Sequence, residues 1–174
     1  HTISPTFTIN TYTLAITKAG TGSGTVTSDP AGIACGAACS YPFALGTNVT
    51  LTATADAGAV FTGWSSGGCQ GTGTCTVTLN ADTTVTATFA DAEGPRGTAT
   101  INGGAAYTMN PAVTLTLSAS DPGGVAQMQF SNDNATWSAA ETYGTTKSWT
   151  LSAGDGSKTV YVKFKDAAGN WSGV

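Results

Sequence analysis

Residues 47–55 read TNVTLTATA, with Val49, Leu51 and Ala53 at every second place and Thr50, Thr52 and Thr54 between them. A period of two puts the first set on one face of a strand and the second on the other, and threonine suits the solvent side of a pleated surface. The stretch predicts a half-buried β-strand, and the pattern recurs in both directions from it. Upstream, residues 12–18 set Tyr12, Leu14 and Ile16 against Thr13, Ala15 and Thr17, and GTVTS at 24–28 follows across the Gly-rich KAGTGSG. These two runs are expected to pair as a hairpin. Downstream, residues 60–64, 74–79 and 83–90 bring the total to about six strands.

Composition fits such a chain. Of the 174 residues only 9% are charged, against roughly 25% in an ordinary globular domain, so solubility must rest on hydroxyl and amide groups. Residues 1–94 hold five acidic groups and Lys18 alone, while residues 95–174 hold five acidic and five basic groups. Neither half carries a basic stripe that could displace counterions from phosphates, which argues against nucleic acid. No apolar run approaches the roughly 18 to 20 residues of a membrane helix, so membrane insertion is not expected. A chain that opens on His1 without a charged-then-apolar leader is expected to be processed or excised from a longer one.

Around residues 91–97, DAEGPRG concentrates charge with Gly and Pro, and the composition changes; a linker is expected there. Beyond it, strand patterns at 98–101, 112–119, 126–131, 148–151 and 159–165 are separated by NGG, DPGG, SNDN and AGDG. Five strands with such turn signals predict an immunoglobulin-like β-sandwich. Its core faces are expected to be Val113, Leu115 and Leu117, then Ala126, Met128 and Phe130, then Val160, Val162 and Phe164. Such sandwiches normally have seven strands, and the pattern stops at the turn DAAGN. A sandwich lacking its last strand is expected to expose a hydrophobic groove that something must fill.

Cys35, Cys39, Cys69 and Cys75 all lie in the first half, in CGAAC and CQGTGTC. Four cysteines allow three pairings, which sequence alone does not select. The short-range choice, Cys35 with Cys39 and Cys69 with Cys75, is favoured because each pair flanks a stretch able to turn back on itself. The competing reading is a four-thiolate zinc site, for which the CxxxC and CxxxxxC spacings are loose. Disulfides would imply an oxidising compartment, outside the cell or on a bacterial surface.

Residues 2–7, TISPTF, repeat the pattern of residues 84–89, TVTATF, which close the first domain. Thr2, Ile3, Pro5, Phe7 and Ile9 are therefore candidates for a strand that belongs to a neighbour: the end of a preceding repeat, or a donor strand that enters the open sandwich of the next copy.

Taken together, GSGTVTS, FTGW, the four cysteines and TVTATF, over roughly residues 11–90, resemble the divergent InlB B-repeat family of bacterial surface and secreted proteins. Residues 95–174, with DPGGVAQMQFSNDNATWS and KTVYVKFKDAAGNWS, are similar to bacterial immunoglobulin-like repeats. The resemblance implies a β-rich, β-grasp-like module used in tandem as a stalk or adhesive spacer, and it brings no catalytic residue. The expected organisation is an N-terminal strand at 1–10, a B-repeat module at 11–90, a linker at 91–97 and an immunoglobulin-like domain at 98–174, all-β throughout.

Catalytic chemistry finds little support. The only histidine is His1, so a serine or cysteine nucleophile lacks an imidazole base. No cofactor is expected, with calcium the one cation to consider: Asp121, Asp166 and Asn170 sit in loops that could meet at one end of the sandwich, although turn-forming is the plainer role for such residues. The chain is expected to be a non-enzymatic extracellular structural or adhesive pair of modules. Its partners would be neighbouring domains or copies of itself, and its form either a spacer or a head-to-tail filament built by strand addition. The alternative is an accessory carbohydrate-binding module of a secreted hydrolase that stacks sugars on Trp64, Trp137 or Trp171.

Overall fold

The computed structural model describes residues 9–174, and the chain divides into two compact units, His1–Ala92 and Glu93–Val174. The donor-strand candidates Thr2, Ile3, Pro5 and Phe7 lie outside the described residues; Ile9 lies within them and is exposed.

The first unit is built from β1 (Thr11–Ala19), β2 (Gly24–Asp29), β3 (Ala34–Cys35), β4 (Ser40–Ala44), β5 (Asn48–Ala55), β6 (Ala59–Ser65), β7 (Cys75–Thr78) and β8 (Thr83–Asp91). They form two four-stranded sheets, β4-β1-β8-β6 and β3-β2-β5-β7. The first sheet is mixed: β1 and β8 run parallel at its centre, each flanked by an antiparallel neighbour. Counted along the chain its order is second, first, fourth, third, the order of a β-grasp sheet. Pro42 lies on β4, an edge strand, where a missing N–H costs no ladder bond.

The apolar sets of both sheets meet in one core, including Leu14, Ile16, Val85, Ala87 and Phe89 from the mixed sheet and Val26, Val49, Leu51 and Val77 from the other. The expected hairpin between β1 and β2 is not formed, because the two strands belong to different sheets. Each has a single apolar face, and a crossing between sheets brings those faces together where a hairpin would have set them side by side. The Gly-rich connection is tied to β8 instead, Gly22 N–H donating to the Phe89 carbonyl at 3.0 Å. At Gly24 a Cβ would run into the Phe89 ring, so only glycine lets β2 lie this close to the core aromatic. The strands number eight where the pattern predicted about six, the additions being β3 and β4.

The second unit contains β9 (Arg96–Ile101), β10 (Ala112–Ser120), β11 (Val125–Ser131), β12 (Glu141–Thr142), β13 (Thr146–Thr150) and β14 (Tyr161–Asp166). Two three-stranded sheets, β13-β10-β9 and β12-β11-β14, pack around Val113, Leu115, Leu117, Met128, Phe130, Leu151 and Phe164, with Val160 and Val162 partly buried against them. Among the described residues the helical content is one 3-10 turn, Asn102–Gly104, and no helix is long and apolar enough to cross a membrane.

The open groove expected of this sandwich is absent from the described core. Leu115 and Phe130 are 0% exposed and Phe164 is 2% exposed. Two features cover that side. A Cβ at Gly97 would meet the Phe164 ring, so β9 lies directly over the aromatic, as β2 does over Phe89 in the first unit. After the turn at 167–170 the chain also doubles back along β14: Trp171 bridges to Lys165, and Ser172 N–H donates to the Phe164 carbonyl at 2.8 Å.

Candidate functional site

The cysteines close two loops of the first unit, Cys35 bonding Cys39 and Cys69 bonding Cys75. Cys35, Cys69 and Cys75 are buried, so the bridges are part of the core as well as clips on its loops. The second loop folds over Trp64. Its Gly71 carbonyl accepts the Trp64 backbone N–H at 2.8 Å, and its Gly73 carbonyl accepts the indole Nε1–H at 2.6 Å. The Trp64 ring lies 4.9 Å from Phe61, which lies 5.3 Å from Phe89. At 5% exposure Trp64 is a core residue and offers no sugar-stacking surface.

Outside the core the first unit presents hydroxyl groups. On β2, β5 and β7, Thr25 faces Thr54, Thr27 faces Thr52, Thr50 faces Thr76 and Thr78 faces Asn48, so alternation and antiparallel register together gather seven threonines on one sheet face. Thr50 and Thr76 share a hydrogen bond of 3.2 Å. Such a face carries neither a nucleophile with a base nor a cluster of ligands.

Carboxylates organise the loops of the second unit. Asp166, 2% exposed, accepts N–H bonds at Oδ1 from Gly169 (2.6 Å) and Asn170 (2.8 Å), and at Oδ2 from the Asn170 side chain (2.8 Å). Burial raises the pKa of this carboxyl, but the hydrogen bonds from Asn170 and the backbone of residues 168–170 outweigh it and hold the group below the ordinary carboxylate value. Asp121 approaches it, a carboxylate oxygen of each lying within 4.8 Å of the other. The three residues considered for calcium therefore do come to one end of this unit. Asp166 spends its oxygens on closing the turn, and Asp121 accepts the Gly123 N–H at 2.7 Å in a turn of its own. Asp133, which no motif in SNDN singles out, accepts from the N–H groups of Ala135 and Thr136 and from the Ser131 hydroxyl; these three bonds, the Thr136 one strongest, hold its pKa far below the ordinary value.

That turn delivers Trp137 to the outer face of β14. Lys163 Nζ sits 4.3 Å from the Trp137 ring centre and 4.9 Å from that of Trp171, and Lys165 lies over Trp171 at 5.6 Å. The two half-exposed rings are thus engaged by lysines of their own domain. Trp149 packs on Phe130 at 5.5 Å and donates its indole N–H to Asn132 at 2.8 Å.

A cleft of about 830 Å³ opens at one end of the same unit, between the segment 102–111 that joins β9 to β10 and the segment 151–158 that follows β13. Tyr107 and Met109 on its rim are 85% and 100% exposed. No period and no motif in AAYTMNP marks either residue; the one signal there is two large apolar side chains in a stretch otherwise rich in Gly, Asn and Pro.

No curated protein and no solved structure matches the chain. Residues 12–93 match the divergent InlB B-repeat domain, the unit of the two four-stranded sheets, and residues 94–162 match a bacterial Ig domain, the unit of the two three-stranded ones. The chain thus joins a divergent InlB B-repeat domain to a bacterial Ig domain.

Proposed function

We propose that this pair of domains serves as an extracellular spacer in which each module is self-sufficient, and that it is not the subunit of a strand-addition filament. The chain is not an enzyme, since both of its domains are structural or adhesive folds without catalytic function. The observation that carries the spacer reading is the separate closed core in each unit, with Phe89 in one and Phe130 in the other fully buried. A domain that waits for a donor strand leaves its core aromatics in water; here β9 and residues 171–172 cover Phe164 from within the same unit. The buried disulfides and the hydroxyl-coated face of the first unit suit an oxidising, extracellular setting, with which both domain families agree.

The test is to express residues 93–174 alone and measure sedimentation and urea unfolding. A monomer with one cooperative transition is expected. Polymers, or a molten species that binds hydrophobic dye and is rescued by a peptide of residues 1–10, would transfer the assignment to the filament.

A further inference from the structure

The cleft between segments 102–111 and 151–158 goes beyond the spacer reading, because a spacer needs no concavity. Its walls are held by local bonds. Asn102 Oδ1 accepts the Thr114 N–H and Asn110 Oδ1 the Ala112 N–H, both at 2.9 Å, while the Thr108 hydroxyl donates to the Asn110 carbonyl at 2.9 Å. Leu151 N–H donates to the Pro111 carbonyl at 2.9 Å, tying the two segments together at the base, and Lys158 Nζ donates to the Ala153 carbonyl at 2.9 Å across the second wall. The cleft is therefore shaped without a ligand.

Its remaining groups are left over. Among the described residues no hydrogen bond uses the hydroxyls of Tyr107, Ser152 and Ser157 or the carboxylate of Asp155. The lining mixes one aromatic face and the apolar Met109, Pro111 and Leu151 with hydroxyl, amide and carboxylate groups, and the charges of Asp155 and Lys158 offset one another. That mixture excludes several occupants. A phosphate or polyanion would need more than one lysine whose ammonium already serves a carbonyl. An extended peptide would need a free strand edge, and an amphipathic helix an apolar groove, neither of which these two loops provide. A sugar matches: its C–H face stacks on an exposed aromatic ring, its hydroxyls pair with hydroxyl, amide and carboxylate groups, and it carries no charge.

We infer that this cleft binds a neutral oligosaccharide, with Tyr107 as the stacking ring and Asp155 as an acceptor for sugar hydroxyls. The volume of about 830 Å³ lies within the range of small-molecule sites, roughly 300 to 1,000 Å³. This site is on different loops from Trp137 and Trp171, whose rings are already engaged by lysines.

The test is affinity electrophoresis of the full chain through gels that contain one soluble neutral polysaccharide each (β-glucan, xylan, galactomannan or glycol chitin), with polygalacturonate as the acidic comparison. Retardation by at least one neutral polymer is expected, with Tyr107→Ala and Asp155→Ala each weakening it by about tenfold or more and Lys163→Ala leaving it unchanged. Both rim residues are exposed, so their variants should keep the parent's unfolding transition. Absence of retardation by every neutral polymer would overturn the inference, as would retardation by polygalacturonate alone or binding that Tyr107→Ala does not weaken.

Discussion

The two modules solve one problem by different chemistry. Each must hold loops around a thin core made from a chain rich in Gly, Ala, Ser and Thr, and each lays a glycine strand directly over a core phenylalanine, Gly24 on Phe89 and Gly97 on Phe164. The first module then fastens its loops with sulfur, through Cys35–Cys39 and Cys69–Cys75. The second has no cysteine and fastens them with carboxylates, Asp133 and Asp166, and with lysines over tryptophan rings. The clamps differ in what can open them. A disulfide yields to reductant and is indifferent to acid; a carboxylate that accepts backbone N–H groups behaves the opposite way.

The largest expected effect tests whether the cores are separate. Phe89→Ala and Phe130→Ala each remove a fully buried ring and should cost about 3 to 5 kcal/mol. Two transitions should appear in urea, and each substitution should move its own one only. A single transition that shifts with either substitution would show that the modules fold as one unit.

Next comes the carboxylate clamp. Asp166→Ala deletes three hydrogen bonds to a buried charge and should destabilise the second module by about 3 kcal/mol. The sign of the pH dependence follows from the lowered pKa values of Asp166 and Asp133. A carboxyl whose pKa is depressed by folding contributes stability that is complete above its unfolded value of about 3.9 and disappears as the pH falls below it toward the folded value. The second module should therefore weaken below about pH 4, and Asp166→Ala should flatten that decline. An acid profile unchanged by the substitution would mean that other groups govern it.

How much of this was legible in the sequence depends on the range of the interaction. Alternation within 47–55 or 112–119 shows which side chains go inward, and Val49, Leu51, Val113, Leu115 and Leu117 are buried in the structure with Ala53 partly so. It does not show which strand lies beside which. That is why β1 and β2, adjacent in sequence and both alternating, suggest a hairpin while they stand in different sheets. Two-residue strands such as β3 and β12 are too short to display a period, and Ser40–Ala44 hides behind Pro42. The covered side of the second core was also illegible: it depends on Gly97 and on residues 171–172 meeting Phe164 from opposite ends of the domain's sequence. The turn at Asp121 could be anticipated because an aspartate side chain accepts the backbone N–H two residues on, here Gly123, and DAAGN likewise marks a turn that Asp166 closes locally through Gly169 and Asn170. The cleft at Tyr107 could not, because two loops far apart in sequence form it.

The disulfide arm of the comparison should be smaller than the carboxylate one. Closing a loop as short as that between Cys69 and Cys75 restricts the unfolded chain little, so the double substitution to serine should cost about 2 kcal/mol. It carries its own reporter, since the loop supplies both hydrogen-bond acceptors of Trp64. Reductant should lower the first transition and move tryptophan emission to longer wavelength, while the second transition stays in place. If reductant lowers both transitions, the division of labour between sulfur and carboxylate fails.

The smallest effect concerns the aromatic clamp. Lys163→Met keeps most of the side-chain stem that packs between Trp137 and Trp171 and removes only the ammonium. If the charge itself binds the rings, the second module should lose about 1 kcal/mol, the scale of a half-exposed cation–π contact. That loss should persist at physiological salt, because 4.3 Å lies well inside the screening length of roughly 8 Å that such salt imposes on separated surface charges. If Lys163→Met is neutral, the stem alone holds the tryptophans, and the second module is clamped by its carboxylates only.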